Sequence, residues 1–142
     1  FFFKQKTAYE IVSRDWSSDV CSSDLSDDQP FWMKTRKGRI MSVPYPIEIN
    51  DTPTMLSRAQ PATDFSRMIL DQFEEMLRLS QKQSLVFGVS MHTFCTGQPF
   101  RLMQVRQALE ALAKHPGFRN VWVTTPGQIA EYAEKLPAEC VI

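Results

Sequence analysis

The residues with the widest chemical scope stand at the ends of apolar runs. Leu85-Val86-Phe87-Gly88-Val89-Ser90-Met91 leads, without polar alternation, to His92. Such a run reads as a strand buried on both faces, the kind found in a parallel sheet with helices packed on it. In barrels and doubly wound folds the C-terminal strand tips and the loops after them form the reactive face, so His92 is the first candidate for proton transfer. Its structural alternative is a half-buried imidazole bonded to a neighbouring carbonyl. A second group follows the short strand expected at Arg39-Ile40-Met41-Ser42-Val43, which Pro44-Tyr45-Pro46 stops because proline cannot donate to a ladder. Tyr45, Glu48, Asn50 and Asp51 beyond it are candidate pocket residues. For Asp51 the pattern favours a turn role, since Asp51 or Thr52 could cap a short helical turn with Pro53 in its first turn. A third group, Asp27-Asp28, could exchange protons or hold a metal, but ahead of Pro30 it reads first as a solvated turn.

The elements that must position these groups follow from periodicity. Phe65, Met68, Ile69, Phe73, Met76 and Leu77 form one apolar stripe on a helix predicted over Thr63 to Gln81, with Thr63 as its N-cap. After the loop at 93–100, Leu102, Val105, Leu109 and Leu112 mark a second amphipathic helix ending near Lys114-His115-Pro116-Gly117, where His115 suits a helix C-terminus. Val121-Trp122-Val123-Thr124 reads as another buried strand. Thr125-Pro126-Gly127-Gln128 is a capping-box pattern that opens a last helix, and residues 137–142 read as a frayed tail. Alternating strand and helix calls for parallel strands with crossover helices, hence an α/β fold. A full (β/α) barrel needs about 200 residues or more. The expectation is therefore the C-terminal part of such a barrel, incomplete in this chain.

Composition narrows the function classes. The chain has 142 residues, 43% of them hydrophobic, enough for one domain with a core. Its formal net charge is zero, which gives no reason to expect nucleic acid or an anionic membrane as partner. Lys34, Arg36, Lys37 and Arg39 make a local basic turn, read as solvated. No apolar run reaches the roughly 20 residues of a membrane span. Cys21, Cys95 and Cys140 are widely spaced, with no Cys-x-x-Cys, which argues against a disulfide framework or thiolate zinc site and fits a reducing cytoplasm. Residues 1–25 differ from the rest: Ser-Ser-Asp recurs, no period of 2 or 3.6 persists, and the segment resembles translated sequencing-adapter DNA. It is expected to be an unstructured leader, with the functional domain at 26–142.

Asp27-Asp28-Gln29-Pro30-Phe31-Trp32, Ser42-Val43-Pro44-Tyr45-Pro46 with Glu48-Ile49-Asn50-Asp51, and Met91-His92 through Gly97-Gln98-Pro99-Phe100-Arg101 together resemble the C-terminal half of the polysaccharide deacetylase (NodB homology) family, in its allantoinase-like branch. The resemblance implies a distorted (β/α) barrel that hydrolyses non-peptide C–N bonds. His92 would be the general acid toward the leaving nitrogen, and Asp27, Asp28 and Asn50 would bind substrate. The substrate would be a small-molecule or sugar amide, with carbohydrate N-deacetylation as the alternative. A non-catalytic binding or assembly domain is the rival from another class. In the family the general-base Asp and a His-x-x-x-His metal pair lie in the N-terminal half. With His92 and His115 as the two histidines here, no metal ligand or cofactor is assigned to this chain, which is expected to be inactive alone. A divalent metal such as zinc could serve a complete parent, and an oligomer is open.

Overall fold

The computed structural model describes residues 2–5 and 29–136. Along the chain lie β1 (Phe2–Gln5), β2 (Phe31–Thr35), β3 (Gly38–Ser42), a π-helical turn (Thr52–Ser57), α1 (Ala62–Leu79), β4 (Gly88–Met91), α2 (Thr93–Thr96), α3 (Pro99–Lys114), a 3-10 turn (Pro116–Asn120) and α4 (Pro126–Ala133). The fold is mixed helix and strand. Two two-stranded sheets, β1 with β4 and β2 with β3, replace the expected barrel wall, so the described residues close no barrel.

α1 forms as the stripe requires: Phe65, Ile69, Phe73 and Met76 recur on one face and are buried, while Arg67, Asp71, Glu74 and Arg78 stay exposed. Its N-cap is Pro61 rather than Thr63. The extended Pro61 sets the entry and Ala62 already belongs to the helix, so Thr63 falls inside the first turn. α3 runs from Pro99 to Lys114 and lays Val105, Ala108 and Leu112 against α1. Phe65, Ile69, Val105 and Leu112 are almost fully removed from solvent. Each such side chain contributes about 1.5–3 kcal/mol relative to exposure, which makes this helix pair the foundation beneath β4. The capping box of α4 forms in both directions, Gln128 N–H donating to Thr125 Oγ1 and Thr125 N–H donating to Gln128 Oε1.

Three expectations are corrected. The strand at 39–43 is real, but it pairs antiparallel with β2, Trp32 opposite Met41 and Lys34 opposite Arg39, rather than entering a parallel sheet. The basic turn between them closes a hairpin, and a short hairpin is the cheapest partner a strand can find. Val121–Thr124, expected as a strand, is irregular after a bend at Val121 and belongs to no ladder among the described residues. The run at 85–92 forms a ladder only over Gly88–Met91, where partners flank it on both sides. One partner is β1, parallel and in register from Phe2 opposite Gly88 to Gln5 opposite Met91. Residues 2–5 lie in the leader expected to be unstructured, so the adapter reading gains no support from the fold. An open strand edge offers unpaired backbone donors and acceptors, and an extended segment beside it satisfies them.

Gly88 opens β4 where Pro46 crosses it. A Cβ built at Gly88 would lie 2.9 Å from Pro46 Cδ, and a proline ring has little room to yield. Gly88→Ala is expected to cost about 1–3 kcal/mol by overpacking. A urea midpoint equal to that of the parent chain would show that the crossing gives way freely. Among the described residues no helix is long and apolar enough to cross a membrane.

Candidate functional site

Parallel pairing decides which side chains meet. Asn50 forms an isolated parallel bridge with Ser90, sealed by Ser90 N–H donating to the Ile49 carbonyl at 2.9 Å. Because the segments run the same way, both leave the pairing at the same end. Asp51 and His92, 41 positions apart, therefore emerge side by side. Asp51 then opens the π-helical turn, with Pro53 in its first turn, and His92 is the N-cap of α2.

Asp51 is fully buried, and its carboxylate is spent on the neighbouring strand tip. Oδ1 lies 2.7 Å from His92 Nδ1, and Oδ2 accepts the His92 backbone N–H at 2.8 Å. The Thr96 hydroxyl also donates to Oδ2, and the Thr52 hydroxyl donates to Oδ1 at 3.4 Å. This corrects the turn-and-cap reading. Asp51 does occupy the N-cap position of its turn, yet its side chain makes no capping bond there. A carboxylate has only acceptors, so Nδ1 carries a proton toward Asp51 and Nε2 is left for another partner. Thr52 Oγ1 stands 3.1 Å from the same Nδ1 and adds a second polar neighbour. The imidazole retains 24% of its exposure, so it is rooted in the interior and still reachable. Phe94, exposed, sets its ring centroid 5.5 Å from that of His92.

Beneath the pair, Cys95 is buried and its thiol donates weakly to the Asp51 carbonyl at 3.7 Å. Burial, and then the nearby Asp51 charge, push the thiol above its ordinary range, with Arg101 opposing. It acts as packing, not as a nucleophile.

The remaining candidates divide. Asn50 is half-buried beside Asp51, and its Oδ1 accepts the Thr52 N–H at 3.2 Å, which steadies the turn. Tyr45 reaches β4 through a 2.5 Å hydroxyl contact with Ser90. Glu48 points away into an exposed pair with Arg58, whose guanidinium holds the Glu48 carboxyl below the usual carboxylate range. Asp27 and Asp28 lie outside the described residues, as does the 137–142 tail. His115 is structural: Nδ1 accepts the Gly117 N–H, and Nε2 lies 3.0 Å from Glu74, tying the end of α3 to α1. A cleft of about 1060 Å³ between the ends of α1 and α4 and a hollow of about 160 Å³ under Tyr45 and Pro46 are both lined without His92 or Asp51. Thr96 carried no signal of its own in the sequence, because only the strand-tip juxtaposition reveals what its hydroxyl meets.

Among the described residues no three His, Cys, Asp or Glu side chains converge as metal ligands. The described residues thus do not by themselves form a metal site.

No protein-family model matches the chain, and no curated protein matches it. Solved structures do. A chain described as "probable Polysaccharide deacetylase from Pseudomonas aeruginosa PAO1" superposes with a TM-score of 0.67 at 19% identity, over 82% of this chain and 39% of that one. A second, described as "Puue Allantoinase", gives 0.67 at 22% identity, over 79% and 37%. At such identities the likeness is one of fold. This chain spans less than two-fifths of the length of either.

Proposed function

We propose that this chain supplies the proton-donor side of a hydrolase acting on non-peptide carbon–nitrogen amide bonds, allantoinase-like or of a related small amide. The observation that supports it most is the buried Asp51 carboxylate bonded to a solvent-reachable His92 at a strand tip. The fold shared with parts of proteins described as a deacetylase and an allantoinase narrows the reaction class. An amine is a poor leaving group until protonated, and an imidazole titrating near neutrality can hand over that proton at modest driving force. Asp51 fixes the ring through Nδ1 and stabilises the imidazolium, so that Nε2 faces the departing nitrogen. Asn50, with Asp27 and Asp28, is proposed to hold the substrate. Carbohydrate N-deacetylation is the second reading, favoured by the deacetylase likeness. Any divalent ion would need ligands beyond the described residues.

The test is to assay a longer protein that contains this chain on allantoin and on an N-acetylated sugar, with and without chelator. Hydrolysis of one is expected. Absence of turnover on both would overturn the reading, as would turnover by the 142-residue chain alone carrying His92→Gln.

A further inference from the structure

Thr96 is nearly fully buried on α2, and its hydroxyl donates to Asp51 Oδ2, the oxygen that also receives the His92 backbone N–H. The two carboxylate oxygens are thereby divided. Oδ2 is bound to both ends of the short α2, by the N-cap His92 N–H and by Thr96 in its last position, and Oδ1 is left facing His92 Nδ1 and Thr52. We infer that Thr96 is a positioning residue: by occupying Oδ2 it prevents the Asp51 carboxylate from turning, and so fixes the ring in the tautomer with the proton on Nδ1. The inference rests on the proposed role of His92 for its catalytic meaning, but its test reads the ring itself.

The physical reason is the cost of a vacancy. With a valine in place of Thr96, Oδ2 keeps one donor and loses the other in a site that water does not reach, and a buried acceptor deprived of a partner seeks another. A donor already held on the other carboxylate oxygen is His92 Nδ1–H. A carboxylate that rotates to share it leaves Oδ1 short and the ring less firmly held. Valine has nearly the volume of threonine, so packing on the core side of α2 changes little, whereas serine keeps the hydroxyl and loses only a methyl.

The chain has two histidines, which makes the measurement legible. Imidazole nitrogen-15 spectra of the 142-residue protein, followed to alkaline pH until they no longer change, report the tautomer of each ring, with His115 on Glu74 as internal control for the fold. Wild-type chain is expected to show His92 protonated at Nδ1 alone. In Thr96→Val the single tautomer is lost, an Nε2-protonated population appears, and exchange of the Nδ1 proton with solvent rises about tenfold, the equivalent of one ordinary hydrogen bond. Thr96→Ser restores the wild-type pattern. A valine variant that retains the lone Nδ1–H tautomer at wild-type exchange, or a folded serine variant that fails to restore it, overturns the inference. If the His115 signals show that the valine variant has unfolded, the wild-type chain decides: a Thr96 hydroxyl proton protected from solvent and close to the His92 amide supports the assignment, and a freely exchanging one overturns it. A dead hydrolase with intact ring behaviour would count against the proposed function and leave Thr96 in place.

Discussion

Replacing Asp51 by alanine is expected to lower the stability of the folded chain by about 2–5 kcal/mol, because it strands several hydrogen-bond donors at the strand tips. The size follows from what is stranded. His92 Nδ1–H, the His92 backbone N–H and the Thr96 hydroxyl all end on this carboxylate. Alanine leaves each without its acceptor, and each unsatisfied donor costs about 1–3 kcal/mol where water cannot enter. Asparagine is the informative contrast. Its amide oxygen can still accept from the backbone N–H and Thr96, and its NH₂ can donate to Nδ1, provided the ring moves its proton to Nε2. Asp51→Asn should therefore retain most of the stability and yet invert the tautomer of His92. Urea unfolding separates the two: midpoints that fall together for alanine and asparagine would show that charge, not hydrogen-bond geometry, holds the tips. A small loss in alanine would mean that the pair contributes little to the fold.

That dependence explains what the sequence could and could not reveal. Local patterns were legible wherever a residue's partners lie within a turn or two. The α1 stripe, the C-terminal end of α3 and the Thr125–Gln128 box all follow from spacings of three and four, whereas the short α2 at Thr93–Thr96 and the start of α3 at Pro99 fall where the sequence reads as a loop. Partners in a sheet are chosen at a distance, and there the reading failed. Nothing local says that Gly38–Ser42 will fold back on Phe31–Thr35, or that Phe2–Gln5 will lie along β4. His92 was legible because an apolar run points at it. Asp51 looked like turn chemistry because its neighbours Thr52 and Pro53 are turn formers, and they do form the turn. What its carboxylate does is settled by the Asn50–Ser90 bridge, a contact between segments forty residues apart. The signal that could have found it was present: two extended stretches, each ending in a titratable residue, place both at the same end if they run parallel.

On the proposed reading, replacing His92 by glutamine in a longer protein that contains this chain and hydrolyses such an amide should lower kcat by about 10²–10⁴-fold, the usual contribution of a positioned general acid. Glutamine fills similar space and can still hydrogen-bond, so KM should change far less: the interaction lost is one made as the nitrogen departs, not when substrate binds. The same logic predicts how the loss depends on substrate. An amide whose amine is weakly basic leaves with little help, so His92→Gln should slow it much less than an amide of a strongly basic amine. Had His92 served only to hold Asp51 and α2 in place, both substrates would lose equal factors, and the Asp51→Asn variant would be nearly as active as the parent. Since Asp51→Asn instead leaves the ring without its counter-charge and with the proton on the opposite nitrogen, it should approach the His92→Gln rate while keeping its fold. Loss of rate without loss of stability in asparagine, set against loss of both in alanine, is the pattern that separates a proton donor from a structural histidine at the end of β4.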